Sequence, residues 1–289
     1  MWHQIELAIS EHSQQAFRIE QKQMLSGGDI SQAYYISQGS RKYFVKVNEA
    51  AFIENFNCEA ASLNSITHTQ TIHVPKVIEA GDSKAHAYLI LDYIPFNASP
   101  ADDSWHQAGI ELANMHQVSL QPMFGYDDNN FIGHTPQYNR WNNNWANFFA
   151  EQRIGYQLEL LAEKNIKIGD IDDIVALIHN LLRPRKVQAS LLHGDLWRGN
   201  IGFDTKQAYI FDPACYYGDY EADLAMTELF GSYPKAFYSG YHSITPQEPG
   251  YHKRQLIYNF YHILNHANLF SGPYVAQAKQ VLTQLTCQN

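Results

Sequence analysis

The sequence predicts an α+β chain in two lobes: a small N-terminal β-sheet lobe with one key helix over residues 1–94, and a larger, mainly helical lobe over 95–289. Three observations carry this expectation. Residues 22–92 alternate short strand-like runs with a single helical stretch. Residues from about 102 onward carry apolar stripes at helical spacing, interrupted by one short β insert at 190–214. Between them, Pro95 to Pro100 resembles a linker. A length of 289 residues, at roughly 100–200 residues per domain, fits one large domain or two lobes.

The elements follow in order. Ile5, Ala8, Ile9, His12 and Ala16 recur at helical spacing and predict an amphipathic helix over 1–20. Leu25-Ser26-Gly27-Gly28-Asp29 predicts a Gly-rich turn leading into a hairpin of Ala33–Ser37 and Tyr43–Val47 around Gln38-Gly39-Ser40-Arg41. Phe52, Phe56, Glu59, Leu63 and Ile66 fall on one stripe and predict a helix over 50–67. Val77–Ala80 and Ala87–Asp92 read as strands joined by Gly81-Asp82. In the second lobe, Trp105, Ala108, Leu112 and Met115 make one helical stripe, and Trp145, Phe148, Phe149, Gln152 and Tyr156 begin another. Ile174, Leu177, Ile178 and Leu181 make a third, ended at Arg183-Pro184 because proline disfavours helix in the residue before it. Leu256, Phe260 and Leu264 mark a late helix, and Ser190–Leu192 and Tyr209–Phe211 are the strand-like exceptions.

Composition narrows the function. Hydrophobic residues are 45% of the chain, enough for a sizeable core. A net charge of −9 argues against nucleic-acid and anionic-membrane partners, which call for basic patches. Cys58, Cys215 and Cys287 are odd in number and far apart, so neither a disulfide framework nor a zinc site is expected. His262 and His266 share a helix face, but no HExxH pattern surrounds them, and a packed or solvated helix is the simpler reading. The start MWHQIELAISEHS lacks the basic and apolar regions of a signal peptide, and no apolar run approaches the ~20 residues of a membrane span. A cytoplasmic monomer is the expected state.

The chemistry concentrates in Leu191-Leu192-His193-Gly194-Asp195-Leu196-Trp197-Arg198-Gly199-Asn200. Asp195 and Asn200 are spaced D-x-x-x-x-N, and Asp212 follows at the end of the next apolar run. Phosphoryl transfer of the kinase type needs a carboxylate to accept the hydroxyl proton, and an amide and a second carboxylate to hold Mg²⁺. Turn residues in a hairpin would also explain Asp195 and Asn200 alone; Asp212 beside Phe211 and Pro213 asks for a cationic partner. Lys46, inside Tyr43-Phe44-Val45-Lys46-Val47, is either an edge-strand charge or a phosphate ligand. Glu59 favours the second, because a glutamate inside an apolar stripe needs a buried cation, although one at the edge of the stripe would reach water. No Walker sequence is present. Gly27 and Gly28 suit a backbone turn over phosphates and equally a plain turn; Asp92-Tyr93-Ile94 closes the small lobe where backbone groups would read an adenine edge, and equally reads as an ordinary strand running into a linker.

These residues resemble a known family. His193-Gly194-Asp195 with Asn200 and Asp212-Pro213 is similar to the aminoglycoside phosphotransferase-like branch of the protein-kinase-like fold. Leu196-Trp197-Arg198-Gly199-Asn200, Asp212 to Asp219, and Glu221 to Met226 resemble the fructosamine kinases, or ketosamine-3-kinases. The resemblance runs from about residue 20 to the C-terminus. It implies ATP- and Mg²⁺-dependent phosphorylation at C3 of the sugar in small-molecule or protein-bound ketosamines, which leads to deglycation. Asp195 is then the base, Asn200 and Asp212 the Mg²⁺ ligands, and Lys46 with Glu59 the phosphate-orienting pair. His193, Trp197 and Asp219 are the expected substrate contacts, although Trp197 also reads as a packed loop aromatic and Asp219 as part of a solvated acidic loop. Asp223 is expected to brace the catalytic loop. A kinase of the same fold acting on an aminoglycoside or choline-like hydroxyl, and a non-catalytic nucleotide-binding protein, are the other readings; retention of all five polar site residues argues against the last.

Overall fold

The computed structural model describes residues 1–26, 30–96, 99–205 and 207–287. Helix α1 (Trp2–Ser13) precedes strands β1 (Gln21–Leu25), β2 (Gln32–Gln38) and β3 (Arg41–Glu49). Helix α2 (Ile53–Thr69) and strands β4 (Val77–Asp82) and β5 (His86–Asp92) follow. The five strands form one antiparallel sheet in the order β1-β2-β3-β5-β4. Alternation along β3 sends Tyr43, Val45 and Val47 to one face, where they pack with Ile5, Ile9 and Phe17. Phe44 and Lys46 take the opposite face, where α2 seats Phe56 and Leu63 against Leu89 and Leu91.

Helix α1 is shorter than the expected 1–20. It ends where Gln14 turns left-handed, and His12 and Ala16 are exposed. Glu6 then accepts the backbone N–H of Ile19 at 2.9 Å and draws the chain back over the sheet. A strand, β1, precedes the Gly-rich stretch, which therefore does not stand ahead of the first strand; Gly27 and Gly28 themselves lie outside the described residues.

The larger part is mainly helical. It begins with α3 (Asp102–Val118), the short strands β6 (Leu120–Gln121), β7 (Asn130–Ile132) and β8 (Thr135–Gln137), and helix α4 (Trp145–Phe148). A π-helical turn over Phe149–Gly155 leads into α5 (Tyr156–Glu163), followed by α6 (Ile171–Leu182). Strands β9 (Ala189–Leu192), β10 (Ile201–Phe203), β11 (Ala208–Ile210) and β12 (Tyr216–Gly218) surround the polar motif. Helices α7 (Glu221–Leu229), α8 (Lys235–Ile244), α9 (Tyr251–Phe270) and α10 (Pro273–Thr286) complete the chain. Local signals set several boundaries. The Asp170 carboxylate accepts the Asp173 N–H at the start of α6, and Asn144 caps α4 through the Asn147 N–H.

Two cores fill this part. One gathers α4, α5, α6, α9 and α10 around Phe148, Phe149 and Phe260. The other packs α3 and α8 against β10 and β11 around Trp105 and Phe237. The strands flanking the motif do not pair with each other: β9 pairs with β12 and β6, and β11 with β10. The motif therefore sits in a gap between two small sheets. No helix among the described residues is long and apolar enough to cross a membrane.

Candidate active site

Strand β3 is third of five in its sheet, so Lys46 is not an edge-strand charge. Its Nζ donates to Glu59 Oε1 at 2.7 Å and to Asp212 Oδ1 at 2.6 Å. Lys46 and Glu59 side chains are only 13% and 14% exposed, while Asp212 is 44% exposed. Burial alone would depress the ammonium, but Asp212 and Glu59 together outweigh it and hold Lys46 above its ordinary pKa. The lysine is thus a permanent cation joining strand, helix and the segment after β11.

The polar loop after β9 is fixed by buried groups. Asp223, in the first turn of α7, accepts the His193 N–H at 2.7 Å and the Gly194 N–H at 2.9 Å. Burial would raise its carboxyl, but His116 and the Gly194 N–H outweigh that and hold it below the usual range. His116 in turn meets the Tyr241 hydroxyl at 2.7 Å. This is the bracing role expected of Asp223.

Asn200 donates its side-chain N–H to the Asp195 carbonyl at 2.8 Å and to Asp195 Oδ2 at 3.3 Å. Asp195 Oδ1 is buried and accepts no hydrogen bond from the described residues. Burial, then the nearby Asp212 charge, pushes the Asp195 carboxyl up to about 7. A carboxylate with one open oxygen and a pKa near neutrality is suited to accept a proton.

The donor set also fits a hard divalent cation. With the Asn200 amide nitrogen committed to Asp195, its amide oxygen and the half-exposed Asp212 carboxylate remain as oxygen ligands, the type Mg²⁺ takes.

A cavity of about 690 Å³ lies between the sheet and the helical part. It brings together Lys46, Glu59, Asp195, Asn200 and Asp212, with Asp92, Tyr93 and Ile94 along one edge and Trp197 also on its wall. Asp92 and Tyr93 spend their backbone N–H groups on the carbonyls of Lys76 and Lys42. Trp197 is half-buried and packs over Gly199, where a Cβ would lie 2.4 Å from the indole.

Two expected substrate contacts are corrected. His193 is fully buried; its Nδ1 accepts the Asp195 N–H at 3.2 Å, so Nε2 carries the proton and donates to the Phe211 carbonyl at 3.0 Å. It braces the loop and does not line the cavity. Asp219 is neither a solvated acid nor a substrate contact. It is fully buried, with Arg185 Nε at 2.7 Å and the Tyr258 hydroxyl at 2.7 Å on Oδ2, and Arg185 Nη2 and the Glu221 N–H on Oδ1.

One neighbour escaped the sequence reading. His262 on α9 places Nδ1 3.9 Å from Asp195 Oδ1, and both atoms are buried without a hydrogen-bond partner. Burial, then His266, pulls the His262 pKa down to about 3, so the ring is neutral. Its only sequence signal was the four-residue spacing to His266, which says nothing of Asp195.

Known proteins resemble the chain over its whole length. The fructosamine kinase family model matches residues 1–288. A probable ketoamine kinase of Vibrio parahaemolyticus serotype O3:K6 is 46% identical over 285 residues, 99% of each chain. The crystal structure of a fructosamine-3-kinase candidate from Haemophilus somnus 129PT superposes with a TM-score of 0.94 at 32% identity, covering 99% of this chain and 97% of that one. A thermostable mutant of aminoglycoside phosphotransferase APH(4)-Ia, in ternary complex with ADP and hygromycin B, superposes at 0.62 with 16% identity, covering 97% of each chain, and shares the protein-kinase-like fold. On the strength of a family model spanning almost every residue, the chain belongs to the fructosamine kinase family.

Proposed function

We propose that the protein transfers the γ-phosphoryl group of ATP to the C3 hydroxyl of a ketosamine, a fructosyl- or ribulosyl-amine, free or protein-bound, and so starts the release of sugar from glycated amines. The observation that carries this reading is the open Oδ1 of Asp195, set in one cavity with the Lys46–Glu59–Asp212 cluster and Trp197. Residues 1–94 hold the nucleotide and residues 95–289 supply catalysis and substrate binding.

In this reading Asp195 Oδ1 accepts the proton of the attacking hydroxyl. The Asn200 side chain fixes the other carboxylate oxygen, so that Oδ1 stays the open one. Lys46, oriented by Glu59, meets the phosphates; the expected part of Gly27 and Gly28 in phosphate binding falls outside the described residues. Asn200 and Asp212 hold Mg²⁺, which when bound neutralises charge on the phosphate oxygens. Trp197 flanks the sugar. At the hinge, Asp92 and Tyr93 supply carbonyl and apolar surface, and reading of the adenine edge by an N–H falls to Ile94. Names among the relatives, ketoamine kinase and fructosamine-3-kinase, support the substrate class.

The test is Mg·ATP turnover, coupled to ADP release, against fructosyl-lysine, ribulosyl-lysine, an aminoglycoside and choline. Turnover is expected on the ketosamines alone. Asp195→Asn is expected to lower kcat by about 100-fold or more, with ATP affinity nearly intact, because the base acts in the chemical step. Turnover on the aminoglycoside or choline alone would remove the ketosamine assignment. Wild-type kcat in Asp195→Asn would remove the base.

A further inference from the structure

The carboxylate of Asp212 sits on a stretch of chain with little support of its own. Asp212 is left-handed at φ 59°, Pro213 has no N–H, and β12 begins only at Tyr216. The two residues between are nonetheless gripped from three sides. The Ala214 N–H donates to the His193 carbonyl at 2.8 Å. The Cys215 N–H donates to the Ser62 hydroxyl on α2 at 3.3 Å. Both carbonyls are taken by side chains of the β7–β8 hairpin: Gln137 Nε2 donates to Ala214 O at 3.0 Å, and Asn130 Nδ2 donates to Cys215 O at 2.7 Å.

These two amides are almost fully buried, at 1% and 3% exposure, and are engaged at their other ends as well. Asn130 Oδ1 accepts from Gln137 at 2.7 Å and from Asn139 at 3.2 Å. Gln137 Oε1 accepts from the Tyr261 hydroxyl on α9 at 2.8 Å. A buried polar network in which each of these groups is satisfied fixes one geometry. The same hairpin also reaches the helix that carries Glu59. The Asn55 side chain donates to the Gly133 carbonyl at 3.2 Å, and Cys58 Sγ donates to the Asn129 carbonyl at 3.4 Å. Ala214 O also lies 2.1 Å from where a Cβ on Gly194 would sit, so this carbonyl is packed directly against the loop of Asp195, to which the Ala214 N–H is hydrogen-bonded.

We infer that the β7–β8 hairpin is a positioning device for phosphoryl transfer, in which Asn130 and Gln137 set the Asp212 carboxylate against the Lys46–Glu59 pair. The inference rests on the proposed role of Asp212 as a metal ligand. Buried carbonyls need hydrogen-bond partners wherever they lie, so what singles out these two is where they stand. Here two amides address two consecutive carbonyls, those of Ala214 and Cys215, just beyond Asp212, while the hairpin tip meets α2, the helix that carries Glu59, the other carboxylate on Lys46.

The experiment compares the wild-type protein with Gln137→Met, which keeps length but loses the donors, and with Asn55→Ala at the other end of the hairpin. ADP affinity is measured by calorimetry with and without Mg²⁺, alongside kcat, ketosamine KM and thermal midpoint. Gln137→Met is expected to reduce the Mg²⁺-dependent gain in ADP affinity, and kcat, by about 10-fold each, the scale seen when outer-shell partners of metal ligands are removed. Mg²⁺-free ADP affinity and ketosamine KM should stay within about twofold of wild type, since Gln137 touches neither ligand.

Asp212→Ala separates the two claims. If it keeps the full Mg²⁺ gain, the assignment of Asp212 fails whatever the hairpin does. If Asp212→Ala loses the gain and Gln137→Met keeps both it and kcat, the hairpin inference is overturned. A proportional loss of all parameters with a collapsed thermal midpoint also overturns it, because that is a structural role only. Should Gln137→Met not fold, Asn55→Ala decides: because Asn55 also lines the cavity, a reduced Mg²⁺-dependent gain with Mg²⁺-free ADP affinity and ketosamine KM unchanged supports the device, and an unchanged gain, or a loss of Mg²⁺-free ADP affinity alone, refutes it.

Discussion

Gly194 and Asp212 are both left-handed, at φ 83° and φ 59°, on the two segments that carry the proposed base, Asp195, and the proposed metal ligand, Asp212. Asp212 tolerates the conformation because a short polar side chain lowers its cost. Gly194 has no alternative, since a Cβ would sit 2.1 Å from Ala214 O and that carbonyl is held by Gln137. This explains why the loop reads His193-Gly194-Asp195, with glycine where the kinase pattern has arginine. Gly194→Ala is expected to cost on the order of 3 kcal/mol of stability, from backbone strain and overpacking together. Displacement of Asp195 should lower kcat by about 100-fold, the penalty for an ångström-scale shift of a reacting group. Urea denaturation and steady-state assay of the variant check both; a stable, fully active protein would show that the loop yields. At this scale the sequence was informative wherever a charge interrupted an apolar run. Lys46, Glu59 and Asp212 sat in such runs, and each needed the others. Asp219 and His193 were misjudged because, besides a neighbouring backbone N–H each, they are held by remote groups: Arg185 lies 34 residues upstream of Asp219, and Phe211 lies 18 residues beyond His193. No local pattern marks either.

Elements were legible where periodicity was strong. The β2–β3 hairpin, α2, β5 and α3 lie close to their predicted spans, because alternation and helical stripes reflect one buried face each. Strand β1 was missed: its sequence QKQML is exposed at four of five positions, and only pairing with β2 defines it. The β7–β8 hairpin was missed because its three-residue strands are too short for a pattern, and polar Asn130 and Gln137 face inward. Helix α8 was missed as well, and its Gly240 shows why. Glycine weakens a helix, yet here it permits a close crossing. A Cβ on Gly240 would lie 1.9 Å from the His106 carbonyl of α3, and one on Gly109 would lie 2.1 Å from the Phe237 carbonyl of α8. Backbone, rather than a flexible side chain, is the obstacle in both cases. Gly240→Ala is therefore expected to cost about 2–3 kcal/mol. The Gly109→Ala/Gly240→Ala double variant should cost less than the sum of the two, because one separation of the helices relieves both clashes. Chemical denaturation of the three variants measures this; strict additivity would mean that the crossing adjusts locally at each glycine. Neither glycine lines the cavity, so kcat of the folded variants should be unchanged.

At the scale of the whole molecule, the helical body buries ionisable side chains around the cleft, and the cost of that burial appears in their titration. His193, His262 and His266 all have their pKa values pulled down, foremost by burial. For His262, at about 3, the charges of His266 and Arg153 add to burial, and the Asp223 carboxylate only partly offsets them. Unfolded, the same ring titrates near 6.5. Above that pH neither state binds the proton. Between about 6.5 and 3 the unfolded chain binds it and the folded protein does not, so stability falls as the pH falls. Asp195 acts in the opposite sense, because its folded pKa of about 7 lies above the usual carboxylate value, and the folded state takes up a proton first as the medium is acidified. The net profile is therefore a difference of opposing contributions, and comparison with a variant isolates the histidine. Between pH 7.5 and pH 5 the wild-type protein should lose about 2 kcal/mol more than His262→Gln, at roughly 1.4 kcal/mol for each pH unit below 6.5. Urea midpoints at the two pH values test it. Parallel losses in both proteins would mean that His262 is protonated in the folded state, and that its Nδ1 and Asp195 Oδ1 close their 3.9 Å gap into an ion pair.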